Sequence, residues 1–253
     1  MKVFFLRKNH LIVAMGAVLA AAMFWAATAL PPAVTTSVAT RQLPIYCVDR
    51  DDNMVAISFD AAWGNEDTQQ LIDILAEHDV KTTFFVVGDW VEKYPESVKA
   101  LHDAGHEIMN HSDDHAHYNS LSTNEIIADV NTCNDKIEAV TGVRPTLIRC
   151  PYGEYDDHVI AAIRSIGMEP IQWDVDSLDW KDLSAQEITQ RVTSKVQSGS
   201  ICLFHNAALH TPEALSSILE FFQSAGYQVV PISQILLEGE YYMDHAGKQC
   251  PAK

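Results

Sequence analysis

The sequence predicts an α/β fold in which strands alternate with helices around a deformed (β/α)7 barrel. Seven short apolar runs are separated by segments of helical spacing, at least five of the runs end in ionisable residues, and no Gly-x-Gly-x-x-Gly follows any of them. The absent glycine pattern removes support for a dinucleotide-binding open sheet, the competing arrangement. Ionisable groups at successive strand ends match the carboxyl rim of a barrel, where chemistry collects. Seven units instead of eight imply a barrel with a gap.

The first 30 residues stand apart from this pattern. Lys2, Arg7 and Lys8 precede an uncharged run from Leu11 to Leu30, at about 20 residues long enough to span hydrocarbon as a helix. The positive flank predicts a single-pass signal-anchor in a cell membrane, with everything after Leu30 outside. Ala27-Thr28-Ala29 also fits a cleavage site, so secretion after signal removal is the alternative. Residues 31–45, rich in Pro, Thr, Ser and Ala, form a linker. About 200 residues remain, enough for one domain with a sizeable core.

Strands are expected over 54–60, 81–88, 107–110, 146–149, 170–174, 200–205 and 227–231, each a β-rich run bounded by turn or cap residues. The helix after the first carries Leu71, Ile74 and Leu75 on one face. Ser122 with Glu125 and Ser184 with Glu187 match the capping box ahead of two further helices. Thr211-Pro212 places a capping hydroxyl before a proline at the first helical position. Gly105, Gly142, Gly167 and Gly226 fall where helices should stop.

The formal charge is −17, from 34 acidic and 17 basic residues, which argues against a phosphate backbone as partner. The five cysteines, Cys47, Cys133, Cys150, Cys202 and Cys250, include no CxxC pair, so a zinc ribbon or thioredoxin-type motif is absent. Cys150 and Cys202 are expected in the core, and a Cys47–Cys250 bridge joining the domain ends is conceivable.

The chemistry gathers at strand ends. His111-Ser-Asp-Asp-His115 sets two imidazoles four residues apart, half of a site for zinc or a similar divalent cation, or else a His-rich surface loop. Arg149, before Cys-Pro-Tyr-Gly, can pair a carboxylate across the rim, with Asp60 or Asp174 as candidates. Between Trp173 and Trp180 lie Asp174, Asp176 and Asp179, carboxylates beside aromatic faces that suit a sugar. His205 ends the run Ile-Cys-Leu-Phe-His.

Taken together, these pieces resemble the NodB-homology polysaccharide deacetylases of carbohydrate esterase family 4 over residues 46–238, with 239–253 left as a C-terminal tail. The family pattern reads here as Ser58-Phe-Asp60-Ala61, His111-Ser-Asp-Asp-His115, Arg149-Cys-Pro-Tyr-Gly153, Asp176-Ser-Leu-Asp179-Trp180 and Leu203-Phe-His205. The segment from Phe59 to Asp67 looks most like the sporulation-associated, PdaB-like branch.

The resemblance implies metal-dependent removal of N-acetyl groups from cell-wall polysaccharide, peptidoglycan or chitin-like, by a protein working as a monomer. His111 and His115 would hold the divalent metal, zinc first, with cobalt or nickel as alternatives. Asp60 would be the general base, held by Arg149, and His205 the general acid, oriented by Asp179. Leu203 would line the acetyl-methyl pocket, Trp180 would meet substrate, and the Tyr152 N–H would complete the oxyanion site.

One departure bears on all of this. The family's third metal ligand, the second Asp of Phe-Asp-Asp, is Ala61 here. Asp60, Asp113, Asp114, Glu66 and Asp67 are candidates to replace it. A catalytically impaired glycan-binding relative, or an O-acetyl esterase on the same scaffold, are the alternative functions.

Overall fold

The computed structural model describes Met15, Val18 and residues 41–252. The expected signal-anchor over 1–30 and most of the linker lie outside the described residues. Among the described residues no helix is long and apolar enough to cross a membrane. The chain divides after Thr40, and Arg41–Lys253 carries the fold.

In chain order, β1 (Cys47–Val48) leads into β2 (Met54–Ala61), α1 (Thr68–Glu77), β3 (Thr83–Val86), α2 (Gly88–Lys93), α3 (Pro95–Asp103) and β4 (Glu107–Asn110). Then come α4 (Thr123–Thr141), β5 (Leu147–Ile148), α5 (Asp157–Ser165), β6 (Glu169–Pro170), β7 (Val175–Asp176) and α6 (Ala185–Thr193). β8 (Ile201–His205), α7 (Thr211–Ser224), β9 (Gln228–Val229), α8 (Ile232–Ile235), β10 (Tyr241–Met243) and β11 (Lys248–Pro251) complete the domain.

The main sheet is a curled, parallel half-barrel in the order β6-β5-β4-β3-β2-β8-β7, with β9 also beside β2. Its edge strands do not pair with each other. The gap expected from seven units is spanned by the segment before β2, where Ile45 bridges Ile171 and Cys47 bridges Ser200. Pro44 and Ile45 are both buried and the Leu43 carbonyl accepts from Arg164 at 2.9 Å, so ordered packing reaches into the expected linker.

The strand expected over 170–174 is instead two short ones at opposite edges, β6 and β7. The chain between them crosses from one edge of the sheet to the other, held by other bonds. Gln172 N donates to Ile45 O at 2.7 Å. The Asp174 carboxylate accepts from Ser200 Oγ and Ile201 N, each at 2.8 Å. A local hydrophobic pattern cannot register that competition.

Side-chain alternation on β2 sets up the site. Val55, Ile57, Phe59 and Ala61 face the helical layer with Leu71, Leu75, Leu215 and Ile218. Ala56 packs in the barrel interior with Phe85, Met109 and Ile201, and Ser58 and Asp60 share its parity. Phe59 stacks on Phe84 of β3 at 4.8 Å and meets Phe204 of β8 at 5.7 Å. Such pairs add about 0.5–1.5 kcal/mol each beyond their burial, and they lock together the strands that carry Asp60 and His205.

Both expected capping boxes form. Ser122 N donates to Glu125 Oε2 at 2.8 Å and Ser184 N to Glu187 Oε2 at 2.9 Å, each with the reciprocal bond from the third helical N–H. Helix α4 ends at Gly142, whose φ of 74° is the left-handed conformation glycine adopts without penalty. Helix α7 differs from expectation, because its N-cap is His210 and the Thr211 hydroxyl donates instead to Asp179 Oδ2 at 2.7 Å. A buried carboxylate outcompetes the capping role.

The C-terminal tail is structured. β11 runs parallel to β1 and antiparallel to β10, giving a separate three-stranded sheet. All five cysteines are buried and unbridged. Cys47 pairs with Lys248, so Cys250 lies two residues further along the neighbouring strand. Strand spacing and rise put such positions about 8 Å apart at Cα, beyond the reach of a disulfide without backbone movement.

Gly199, at φ 84°, turns the chain into β8, and a Cβ there would collide with the Val48 carbonyl oxygen. Gly199→Ala is therefore expected to lower unfolding stability by about 2 kcal/mol or more. Urea denaturation checks this, and a change within about 0.5 kcal/mol would show that the β1–β8 junction relaxes freely.

Candidate active site

The candidate residues come from five strand ends or the turns that follow them, and the curl of the sheet brings them to one cleft of about 500 Å3. Asp60, His111, His115, Tyr152, Trp180, Leu203 and His205 all line it, together with Trp63, Trp173 and Asp176. Arg149 and Asp179 lie beneath the surface, at 0% and 1% exposure, and act through the groups they hold.

Arg149 is the deepest element. It follows β5, and its Nη1 donates to Asp60 Oδ1 at 2.7 Å. Its Nη2 donates to Ser58 Oγ at 2.9 Å and to the Gln172 carbonyl at 3.2 Å. The guanidinium also lies over the Phe85 ring, 4.3 Å from its centroid. Burial pulls the Arg149 pKa below its ordinary value, while Asp60 pulls the other way. For Asp60, burial favours the neutral acid, but Arg149 and the neighbouring histidines outweigh it and hold the carboxyl below its usual range. Of the two carboxylates weighed for Arg149, the partner is Asp60, since Asp174 is engaged by Ser200 and Ile201.

Ser58 and Gln172 were not legible as site residues. Ser58 sits two positions before Asp60 on the same face, which is the signal that could have found it. Its hydroxyl hydrogen goes to the Cys202 carbonyl at 2.9 Å, leaving the oxygen free to accept from Arg149.

His111 and His115 do lie side by side, ring centroids 5.0 Å apart. His111 Nδ1 is 2.8 Å from the Arg149 carbonyl. A carbonyl only accepts, so this nitrogen carries the hydrogen and Nε2 presents its lone pair to the cleft, 3.6 Å from Asp60 Oδ2. Burial lowers both imidazoles, His115 to about 4 with His111 as second cause, so both favour the neutral form.

The resemblance implies a divalent metal on this histidine pair. His111 is oriented as a ligand usually is, with its other ring nitrogen held by a carbonyl. Of the expected replacements for the third ligand, Asp60 is the one beside His111, and Arg149 already holds it, while Asp113, Asp67 and Glu66 are engaged elsewhere. Asp113 binds Lys136 at 2.7 Å, and Asp67 accepts from Ala207 N at 2.8 Å. Glu66 caps Asn65 N at 2.9 Å, and Ala61 is buried against the helical layer. Among the described residues no three His, Cys, Asp or Glu side chains form a group able to hold an ion. Two imidazoles and one arginine-held carboxylate do not complete the metal site.

On the other side of Asp60, His205 ends β8. Its Nδ1 lies 2.7 Å from Asp179 Oδ1, and its backbone N–H donates to Asp179 Oδ2 at 2.8 Å. Burial opposes the charged imidazole, yet the Asp179 hydrogen bond and the surrounding carboxylates prevail, and the His205 pKa is raised. Thr211 adds a further hydrogen bond to the same Asp179 oxygen, a support concealed in the sequence by its resemblance to a helix cap.

Aromatic rings frame the opening. Tyr152 stacks on His117 with centroids 4.0 Å apart and rings 6° from parallel, and meets the His115 ring at 4.5 Å. Trp180, 57% exposed, follows Asp179 directly, and Leu203 is buried in the cleft wall. Ser112, His115, Tyr152, Leu178 and Ala207 all have positive φ. Non-glycine residues held this way cost about 1–3 kcal/mol each, and two of them, His115 and Tyr152, line the cleft. A neutral histidine pair, an ionised aspartate and a proton-retaining histidine thus face one aromatic-lined space, an arrangement suited to hydrolysis with a leaving group that needs a proton.

Residues 48–171 match the family model for polysaccharide deacetylase. An uncharacterised Bacillus subtilis protein, YlxY, is 33% identical over 195 residues, 77% of this chain and 61% of its own length. The Bacillus subtilis peptidoglycan-N-acetylmuramic acid deacetylase PdaC is 34% identical over 188 residues, 74% of this chain and 40% of its length. The chain thus spans 40% to 61% of these curated relatives. The solved PdaC structure superposes with a TM-score of 0.67 at 35% identity, over 74% of this chain and 92% of that one. A CE4-family pseudoenzyme from Bacillus anthracis superposes at 0.73 with 35% identity, over 76% and 68% of the two chains. A mutant of that pseudoenzyme with restored enzymatic activity superposes at 0.73 with 36% identity, over 76% and 70%.

Proposed function

Because this chain belongs to the polysaccharide deacetylase family, we propose that it hydrolyses N-acetyl groups on amino sugars of the cell-wall glycan. The observation that carries this reading is the pairing of two opposed groups across one cleft. Asp60 is kept ionised by buried Arg149, and His205 is kept protonated to higher pH by buried Asp179.

Water attacks the acetyl carbonyl carbon and gives up a proton to Asp60, which Arg149 holds in place. The oxyanion of the tetrahedral intermediate is met by the Tyr152 N–H. The carbon–nitrogen bond then breaks as His205 delivers a proton to the sugar nitrogen, releasing acetate and a free amine. An amine leaves poorly without that proton, so the imidazole is worth about 10²–10⁴-fold in rate. Two imidazoles and a carboxylate already held by Arg149 do not complete a metal site, so these steps are carried by the chain's own residues. The apolar run before Leu30 supports an anchored, extracytoplasmic position, where wall glycan is accessible.

A second reading is favoured by Ala61 and by the similarity to a pseudoenzyme: a wall-glycan binder with impaired catalysis. Purified protein incubated with peptidoglycan and with chito-oligosaccharides, with and without added zinc, cobalt or nickel, separates the two. Acetate release with equal appearance of free amine is expected. A folded protein that co-sediments with wall glycan but releases no acetate under any of these conditions is the binder, and the hydrolase reading fails. O-acetyl esterase chemistry would instead release acetate with no new amine.

A further inference from the structure

Trp63 takes no part in the steps above, yet its indole is 63% exposed at the cleft that holds Asp60, His111 and His205. It shares that cleft with two further exposed rings, Tyr152 and Trp180, and a contiguous exposed aromatic surface in a groove marks a binding site. The segment around it is fastened independently of the indole. Asn206 Nδ2 donates to the carbonyl oxygens of Trp63 and Gly64, at 2.6 and 2.9 Å, and Asn206 Oδ1 accepts from Ala62 N at 3.2 Å. Trp90 Nε1 donates to the same Gly64 oxygen at 2.5 Å. Asn206 directly follows His205, so the ring is held at a fixed place relative to the proton donor.

We infer that Trp63 stacks against the apolar C–H face of a pyranose ring next to the one being deacetylated, and thereby selects oligosaccharides over single sugars. This rests on the glycan reading of the cleft. The occupant is an uncharged sugar of an N-acetylated glycan, because Asp60 and Asp176 line the same space and a chain of charge −17 repels polyanions. Trp63 has only an edge contact to His115, centroids 5.4 Å apart at 62°. The Trp180 ring, by contrast, already carries Lys181 Nζ at 4.9 Å from its centroid. Of the two exposed indoles lining the cleft, Trp63 is thus the one with no cation over its ring.

The full chain is titrated calorimetrically with tetra-N-acetylchitotetraose, and acetate release gives kcat and KM in parallel. Trp63→Ala is expected to weaken tetramer binding and raise KM by about 10-fold, with kcat within about 3-fold of the parent. Trp63→Phe should retain most of the affinity, whereas Trp63→Leu, with bulk but no aromatic face, should resemble alanine. The Phe and Leu pair decides the matter if the alanine variant fails to fold. Equal affinity in all folded variants, or a collapse of kcat at unchanged affinity, overturns the inference and leaves the ring as a support for His115. A parent protein that binds no chito-oligosaccharide and no peptidoglycan fails at the earlier level, the glycan reading itself.

Discussion

Arg149→Met is expected to lower the free energy of unfolding by about 3–5 kcal/mol. Arg149 and Asp60 are both buried, at 0% and 6% exposure. Removing the guanidinium takes away the cation 2.7 Å from a desolvated carboxylate, and orphans the acceptors on Ser58 and Gln172. The loss comes from that unpaired charge, so the double variant Arg149→Met/Asp60→Asn should recover a substantial part of it. Denaturant midpoints of the two single variants and the double close the cycle. A loss below about 1 kcal/mol in the single variant would mean that water reaches Asp60.

The pair also sets an acid limit. Asp60 has its folded pKa below the unfolded value, so the stability it contributes is complete above about pH 4 and is lost as pH falls through the folded pKa. In Arg149→Met the main cause of the depression is gone, and this acid-side loss should vanish or reverse.

His205→Ala is expected to cut amide hydrolysis by about 10²-fold or more while leaving glycan binding in place. The more discriminating variant is Asp179→Asn. Asp179 bonds both the ring and the backbone N–H of His205 and is the leading cause raising its pKa. The proposed amide hydrolysis needs His205 protonated, so kcat should decline as pH rises through that raised pKa. Asp179→Asn should move this alkaline decline towards lower pH and lower kcat at neutral pH. The stability contribution has the matching sign: it is complete below about pH 6.5 and is lost as pH rises through the folded pKa. An unchanged alkaline limb in Asp179→Asn would remove His205 from the role of acid.

Much of this was readable from the chain. Apolar runs ending in Asp60, Arg149 and His205 place three of the working side chains at strand ends, and the capping boxes at Ser122 and Ser184 fix where two helices begin. Alternation along β2 sends Asp60 inward and Ala61 towards the helices, which is why no neighbour on that strand substitutes for the missing carboxylate. The run over 170–174 misled, because bonds to Ile45, Ser200 and Ile201 divide it between two sheet edges. Thr211 misled in the same way, since Asp179 took its hydroxyl.

Sequence by itself determined the alternating elements, the direction each strand-end side chain takes, and the chemical types available at the rim, because periodicity and capping are properties of neighbours along the chain. Only the tertiary structure decided that Arg149 holds Asp60 and not Asp174, that Asp179 is shared by His205 and Thr211, and that the carboxylate beside the two histidines is the one the arginine holds. Those outcomes depend on residues up to 89 positions apart being brought within hydrogen-bond reach. The curl of the sheet sets that distance, and no local pattern encodes it.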